Sequence, residues 1–222
     1  MSSEGKGNPG CRSAFTDTPG NVTSEYHFAN LIFHNSLLEP FRKFVDEESK
    51  AREILTWNIE SSGQLWVYIN ILETTLRAHI NEKISSHFLV KEWWLSPEII
   101  APAHVRDFSR IDEVPNLSLP LLTLLFSRPY TKNLWIPIFE PLIIAGDKRR
   151  ESFHKKLEFL RLIRNTIAHH GSIFHYDPKQ ISRVMGEVLA LFDRMTADWI
   201  QFHPEFDQIA DKRENLRSGG GI

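Results

Sequence analysis

The 222-residue sequence predicts an all-α protein. Apolar residues recur at helical spacing along most of the chain, and strand-like alternation bounded by turn pairs such as Asn-Gly is missing. Hydrophobic residues make up 41% and charged residues 24%, an ordinary globular balance, with fifteen Phe and six Trp as bulky core material. No internal repeat or low-complexity segment interrupts the body.

The first helix is expected from Ser24 to about Glu48, on Phe28, Leu31, Ile32, Leu38, Phe41 and Val45, with an interruption near Pro40. A longer helix follows Ser61 and Ser62, where Leu65, Ile69, Leu72, Leu76, Ile80 and Ile84 form one continuous buried face. The Pro-punctuated middle, Trp93 to Ala145, reads as short helices and turns. From Asp147 to His169 the apolar positions Phe153, Leu157, Leu160, Ile163 and Ile167 define a helix that Gly171 stops. Asp177 and Pro178 then read as N-cap and first helical position of a helix through Ile181, Val184, Val188, Phe192, Met195 and Trp199, ended by His203-Pro204.

Seven of the eleven glycines lie near the termini, so residues 1–23 and 217–222 read as tails and residues 24–216 as a single domain. The formal charge of −2 gives no global field to attract a polyanion, so any nucleic acid must be held locally. One cysteine, Cys11, excludes an intrachain disulfide and fits a reducing cytosol. The apolar runs are too short or too broken by Pro and Glu to span a bilayer, and a soluble cytoplasmic protein without membrane association is expected.

Chemistry concentrates in "RNTIAHHG", residues 164–171. A guanidinium binds phosphate oxygens through its planar fork, and an imidazole exchanges protons near neutral pH, so Arg164 with His169 is a workable minimum for RNA cleavage. Spacing alone is weak evidence. An Arg followed by His after four to six positions should occur about twice by chance in this composition, and Arg149 to His154 matches as well. The context of Arg164 differs: Asn165 follows it, with an amide able to orient a phosphate or the imidazole, and small Ala168 precedes His169. Asn165 and His169 share a helix face, with Arg161 one turn earlier, whereas Arg164 lies about 140° from His169.

With "INILETTLRAHINEKI" at 69–84, "LIRNTIAHHGSIFH" at 162–175 and Leu-Trp pairs at 65–66 and 134–135, the chain resembles the HEPN superfamily, most closely its abortive-infection (Abi-like) branch. The resemblance covers roughly residues 30 to 200. It implies a HEPN-type helical bundle with additional short helices. It also implies a cofactor-free, metal-independent endoribonuclease of a toxin or abortive-infection defence system. The 2′-hydroxyl attacks the adjacent phosphate and leaves a 2′,3′-cyclic phosphate, with His169 as general acid or base, Arg164 on the developing charge and Asn165 beside them. Two copies of the motif meet across a homodimer interface in such proteins, and an antitoxin or defence partner belongs to the same picture. Ala78 stands where the family often has Asn after the second-helix Arg, which leaves Arg77 in a second tier with Glu73, Arg161 and His170.

Helix C-capping by basic residues is the plainer reading of Arg164, Asn165 and His169, and an i, i+4 ion pair that of Glu73 and Arg77. The run from 147 to 164 carries seven Lys or Arg against three acids; Lys148, Arg149, Arg150, Lys155 and Lys156 read as an RNA track or as a solvated helix face. His154, His169, His170 and His175 lack the cysteine pair or helical spacing of a zinc site, so no metal is expected. Trp93 and Trp94 are candidates for base stacking, with burial as the commoner role. The competing functional reading is a non-catalytic helical RNA-binding or regulatory module.

Overall fold

A computed structural model describes residues 35–100, 117–144 and 146–218. The chain divides into two units, 1–33 and 34–222, and everything described belongs to the second. The expected tail 1–23, Cys11 and residues 24–34 of the expected first helix lie outside the described residues. Every regular element described is helical. No helix among the described residues is long and apolar enough to cross a membrane.

The described part of the first helix, α1 (Asn35–Arg42), contains Pro40 and ends six residues earlier than Glu48. Glu48 instead opens α2 (Glu48–Phe88), a 41-residue helix and the spine of the fold. It starts well upstream of Ser61 and Ser62. Ala51, Ile54, Leu55, Asn58 and Ser61 extend the buried stripe of Leu65 to Ile84 backwards, so Ser61 is a packing position and not a cap. Two serines and Gly63 cost helix propensity on the order of 1–2 kcal/mol, less than the packing they continue.

The middle is a series of short turns of helix, as expected: a 3₁₀ turn at Trp93–Leu95, α3 (Pro97–Ile100), α4 (Leu119–Leu124), a 3₁₀ turn at Arg128–Tyr130, a π-helical segment Thr131–Phe139 around Pro137, and a 3₁₀ turn at Glu140–Leu142. Phe126, Trp135, Phe139, Phe153 and Phe192 make a cluster of edge and tilted ring contacts that packs this segment onto α5 (Arg150–Ala168). Trp93 and Trp94 are buried, which removes them as base-stacking surfaces. The Tyr130 hydroxyl donates to the Ile99 carbonyl at 2.6 Å, and burial pushes its pKa up to about 12.

Beyond α5 the expected single helix is two, α6 (Pro178–Leu189) and α7 (Arg194–Gln201). Asp177 caps α6 as read, accepting from the Lys179 amide at 3.0 Å. The spacing of Val188, Phe192, Met195 and Trp199 imitates one stripe, yet Met195 is 80% and Trp199 49% exposed. The break comes from a second cap: Asp193 accepts from the Thr196 amide at 3.1 Å and from its hydroxyl at 2.6 Å. The helix then folds back on α6 at Gly186. His203-Pro204 does end α7, but Pro204 also starts a further, unexpected helix, α8 (Pro204–Ser218), which runs past the expected boundary at 216. Its buried face is Phe206, Ile209, Ala210 and Arg213, too sparse and too polar for an apolar pattern. α2 touches α1, α4, α5, α6 and α8, so the other elements are placed by reference to it.

A Cβ on Gly186 would lie 2.9 Å from Gln201 Cβ and 3.3 Å from the Ala197 carbonyl. Gly186→Ala is therefore expected to force α6 and α7 apart and to destabilise the fold by about 1–3 kcal/mol, read as a lowered denaturant midpoint. An unchanged midpoint would mean that the close approach is not required.

Candidate functional site

α5 presents the residues of interest at its C-terminal end, and its five buried positions are those read from the sequence. The helix ends in a Schellman turn: the His170 amide donates to the Ile167 carbonyl at 3.0 Å and the Gly171 amide to the Thr166 carbonyl at 2.7 Å. His170, with φ of 55°, is the left-handed residue, the place glycine usually takes. Gly171 serves differently from the expected stop: a Cβ there would meet Thr166 Cγ2 at 2.9 Å and the Thr166 carbonyl oxygen at 3.1 Å.

The chain after this turn is clamped from two sides. Asn58 on α2, 4% exposed, donates to the Gly171 carbonyl at 3.2 Å and accepts from the Ile173 amide at 2.7 Å. Arg213 on α8, also buried, donates to the Phe174 carbonyl at 2.6 Å and lies over the Phe174 ring. That ring packs edge-on against Phe44 and Trp57. Neither Asn58 nor Arg213 was read as a site residue. The signal for Asn58 was available: it is a polar residue on the apolar stripe of α2, four after Ile54 and seven before Leu65.

Arg164 turns inward to α2. Its Nε donates to Glu73 Oε1 at 3.3 Å, its Nη1 to Asn165 Oδ1 at 3.4 Å, and its guanidinium carbon stands 5.7 Å from the Trp66 ring centre. Trp66 thus joins the site from one of the Leu-Trp pairs. Glu73 Oε2 is 3.7 Å from Arg77 Nη2, and Arg77 Nε donates to the Leu117 carbonyl at 2.9 Å. Glu73 thus reaches α5 and Arg77 the chain at Leu117, beyond a simple pair along one helix.

His169 and His170 are exposed, and among the described residues neither ring makes a hydrogen bond, ion pair or ring contact. Arg164 and His169 are not joined by any hydrogen bond among the described residues, in keeping with their angular separation. Arg161 is held by Glu158 at 2.7 Å. The basic run is largely committed to acceptors: Arg149 to Asp147 at 2.8 Å, Arg150 to the Phe126 carbonyl at 2.6 Å, Lys155 to Glu151 at 2.9 Å and Lys156 to Glu187 at 3.0 Å. The hydrogen bonds from Arg149 hold the Asp147 carboxyl well below the usual carboxylate range. Lys148 is exposed with no such partner among the described residues.

His154 and His175 sit apart from this end of α5 in their contacts, His154 within 3.8 Å of Glu158 and His175 against the Tyr176 ring. Burial lowers the pKa of both rings; for His175, Lys43 and Arg213 lower it further. No group of three His, Cys, Asp or Glu side chains able to hold a metal ion occurs among the described residues. No protein-family model, curated protein or solved structure matches the chain.

Two outcomes follow for the helix end. His170→Gly relieves the left-handed strain and is expected to stabilise the protein by about 0.5–1 kcal/mol, seen as a raised midpoint in urea. Asn58→Ala leaves a buried amide and a buried carbonyl unpaired, and the expected loss is about 2–4 kcal/mol. A loss below 1 kcal/mol would mean that water replaces the clasp.

Proposed function

We propose that the chain is a HEPN-type endoribonuclease of the Abi-like branch, acting as a cytoplasmic homodimer in a toxin or abortive-infection defence system. The observation that carries this reading is the division of labour at the end of α5. One cation, Arg164, is fixed in direction by Glu73, Asn165 and Trp66, while one imidazole, His169, is exposed and uncommitted. A last turn that merely capped a helix would aim its cations at the terminal carbonyls. Arg164 instead crosses to the neighbouring helix.

The chemistry requires no group beyond the chain and the RNA. A base removes the 2′-hydroxyl proton, the 2′-oxygen attacks the adjacent phosphorus, and the 5′-oxygen leaves with a proton from an acid, giving a 2′,3′-cyclic phosphate and a 5′-hydroxyl. His169 performs either proton transfer, and the same residue of a second copy performs the other. Arg164 counters the charge that develops on the non-bridging oxygens. A two-fold axis near this helix end would bring two arginines and two histidines around one phosphate, which overcomes the separation of about 140° within one chain.

The competing reading is a non-catalytic RNA-binding or regulatory module. It is favoured by the ion pairing of Arg149, Lys155, Lys156 and Arg161, which spends most of the local positive charge inside the chain. The two readings part on turnover. His169→Ala is expected to lower cleavage of single-stranded RNA in excess EDTA by ~10²- to 10⁴-fold with an unchanged melting curve, because the exposed ring makes no hydrogen bond, ion pair or ring contact among the described residues. His154→Ala should stay within a few-fold of wild type. RNA left intact by wild-type protein removes the nuclease reading, and RNA cut equally by His169→Ala removes His169 from the site.

The shared site has its own test, a titration of Arg164→Ala protein with His169→Ala protein at constant total concentration. Partial activity returns if one arginine and one histidine from opposite chains suffice, and none returns if both copies of either are needed. Full activity of a wild-type protein that sediments as a monomer at assay concentration excludes a composite site.

A further inference from the structure

Between α2 and α5 two guanidinium groups share one carboxylate. Arg164 and Arg77 approach opposite oxygens of Glu73, at 3.3 Å and 3.7 Å, so the trio carries one net positive charge. All three are partly withdrawn from solvent, with side-chain exposures of 29%, 21% and 13% for Arg164, Arg77 and Glu73. Here donors remain unspent. Arg77 uses Nε on the Leu117 carbonyl, while its Nη2 is beyond hydrogen-bond reach of Glu73 and its Nη1 has no acceptor among the described residues. Arg164 uses Nε and Nη1, and its Nη2 has no acceptor among the described residues.

These N–H groups are open to solvent and can be taken up by one more anion with at least two oxygen acceptors. A phosphodiester supplies one negative charge and two non-bridging oxygens, which matches the net charge of the trio and the two sets of free N–H groups. We infer that Arg77 and Arg164 form a two-arginine clamp for one phosphodiester of the nucleic-acid strand, with Glu73 as the anion that holds the two guanidiniums side by side. Arg77 is then a phosphate-binding residue and Glu73 a positioning residue. The inference deepens the nuclease reading and rests on it for the nature of the strand. The formal charge of −2 fits as well: with most of the basic run paired internally, anion affinity is expected from a local site of this kind.

Binding can be measured without cleavage on a single-stranded oligodeoxynucleotide, which has no 2′-hydroxyl, over a range of salt concentrations. Arg77→Ala is expected to weaken binding by about tenfold and to lower the salt slope by roughly one unit. Arg77→Lys loses the Leu117 bond just as alanine does but keeps a charge; it should retain the wild-type slope, which a merely structural role would not produce. Glu73→Gln keeps an amide oxygen that can accept from Arg164 Nε, so the placement of the guanidinium survives, while the competing negative charge is lost; it should tighten binding several-fold, and this variant decides alone if Arg77→Ala does not fold. An unchanged slope in Arg77→Ala, or weakened binding in Glu73→Gln, overturns the clamp. The same shifts with inorganic phosphate but none with the oligodeoxynucleotide would overturn the phosphodiester assignment. Wild-type protein that leaves RNA intact while both binding shifts occur removes the nuclease reading alone. Normal RNA cleavage with neither shift removes the clamp alone.

Discussion

The carboxamide of Asn58 is where the spine helix takes hold of the chain beyond α5. A carboxamide can donate and accept at once, and here it answers the Gly171 carbonyl and the Ile173 amide, two backbone groups of the loop beyond the helix that have no helical partner. Because Asn58 sits on the buried stripe of α2, the position of the last turn of α5 is tied to the core packing of the longest helix. His170 can then occupy a left-handed conformation that an isolated turn would resist. Phe174 follows into its cage of Phe44 and Trp57, and Arg213 of α8 closes the far side. Local strain at an exposed histidine is thus carried by burial elsewhere.

From that anchor the electrostatics follow. Fixing the end of α5 against α2 brings Arg164 to Glu73 across 91 positions of sequence, and Trp66, about two turns before Glu73 on α2, limits where the guanidinium can go. The result is a directional cation in place of a free-swinging one. His169 is treated oppositely, left in solvent with a ring that makes no hydrogen bond, ion pair or ring contact among the described residues. The basic run at the N-terminal end of α5 is quieter than its composition suggests. Asp147, Glu151 and Glu187 absorb Arg149, Lys155 and Lys156, and Arg150 is spent on a carbonyl of the π-helical region's neighbour, Phe126.

Helices with a full apolar stripe were legible in the sequence, and those whose stripe is mixed were not. α5 shows this best: five apolar positions gave its face, and its Schellman end lay where Gly171 pointed, although the left-handed residue is His170. α2 was shortened because Ser61, Ser62 and Gly63 look like a start signal when read locally, whereas Ala51, Ile54 and Leu55 continue the stripe at tertiary cost-free spacing. α6 and α7 were fused because exposed Met195 and Trp199 carry the same letters as buried ones, and only the Asp193 to Thr196 cap betrayed the break. α8 buries an arginine. Within the site, Arg164, Asn165 and His169 could be picked by residue chemistry, but the pairing of Arg164 with Glu73 could not, because nothing in a one-dimensional spacing says which helix lies alongside. Asn58 could have been found as a polar residue in an apolar register.

The most direct measurement of the central claim uses a DNA oligonucleotide that carries a single ribonucleotide, incubated with wild-type protein in excess EDTA. The account requires cleavage at one bond only, on the 3′ side of that ribose, with a 2′,3′-cyclic phosphate on one fragment and a 5′-hydroxyl on the other. Cleavage at other bonds, or no cleavage of this strand by a preparation that cuts RNA, would contradict in-line attack by the 2′-hydroxyl. An uncut strand together with uncut RNA would contradict the assignment of Arg164 and His169 to catalysis.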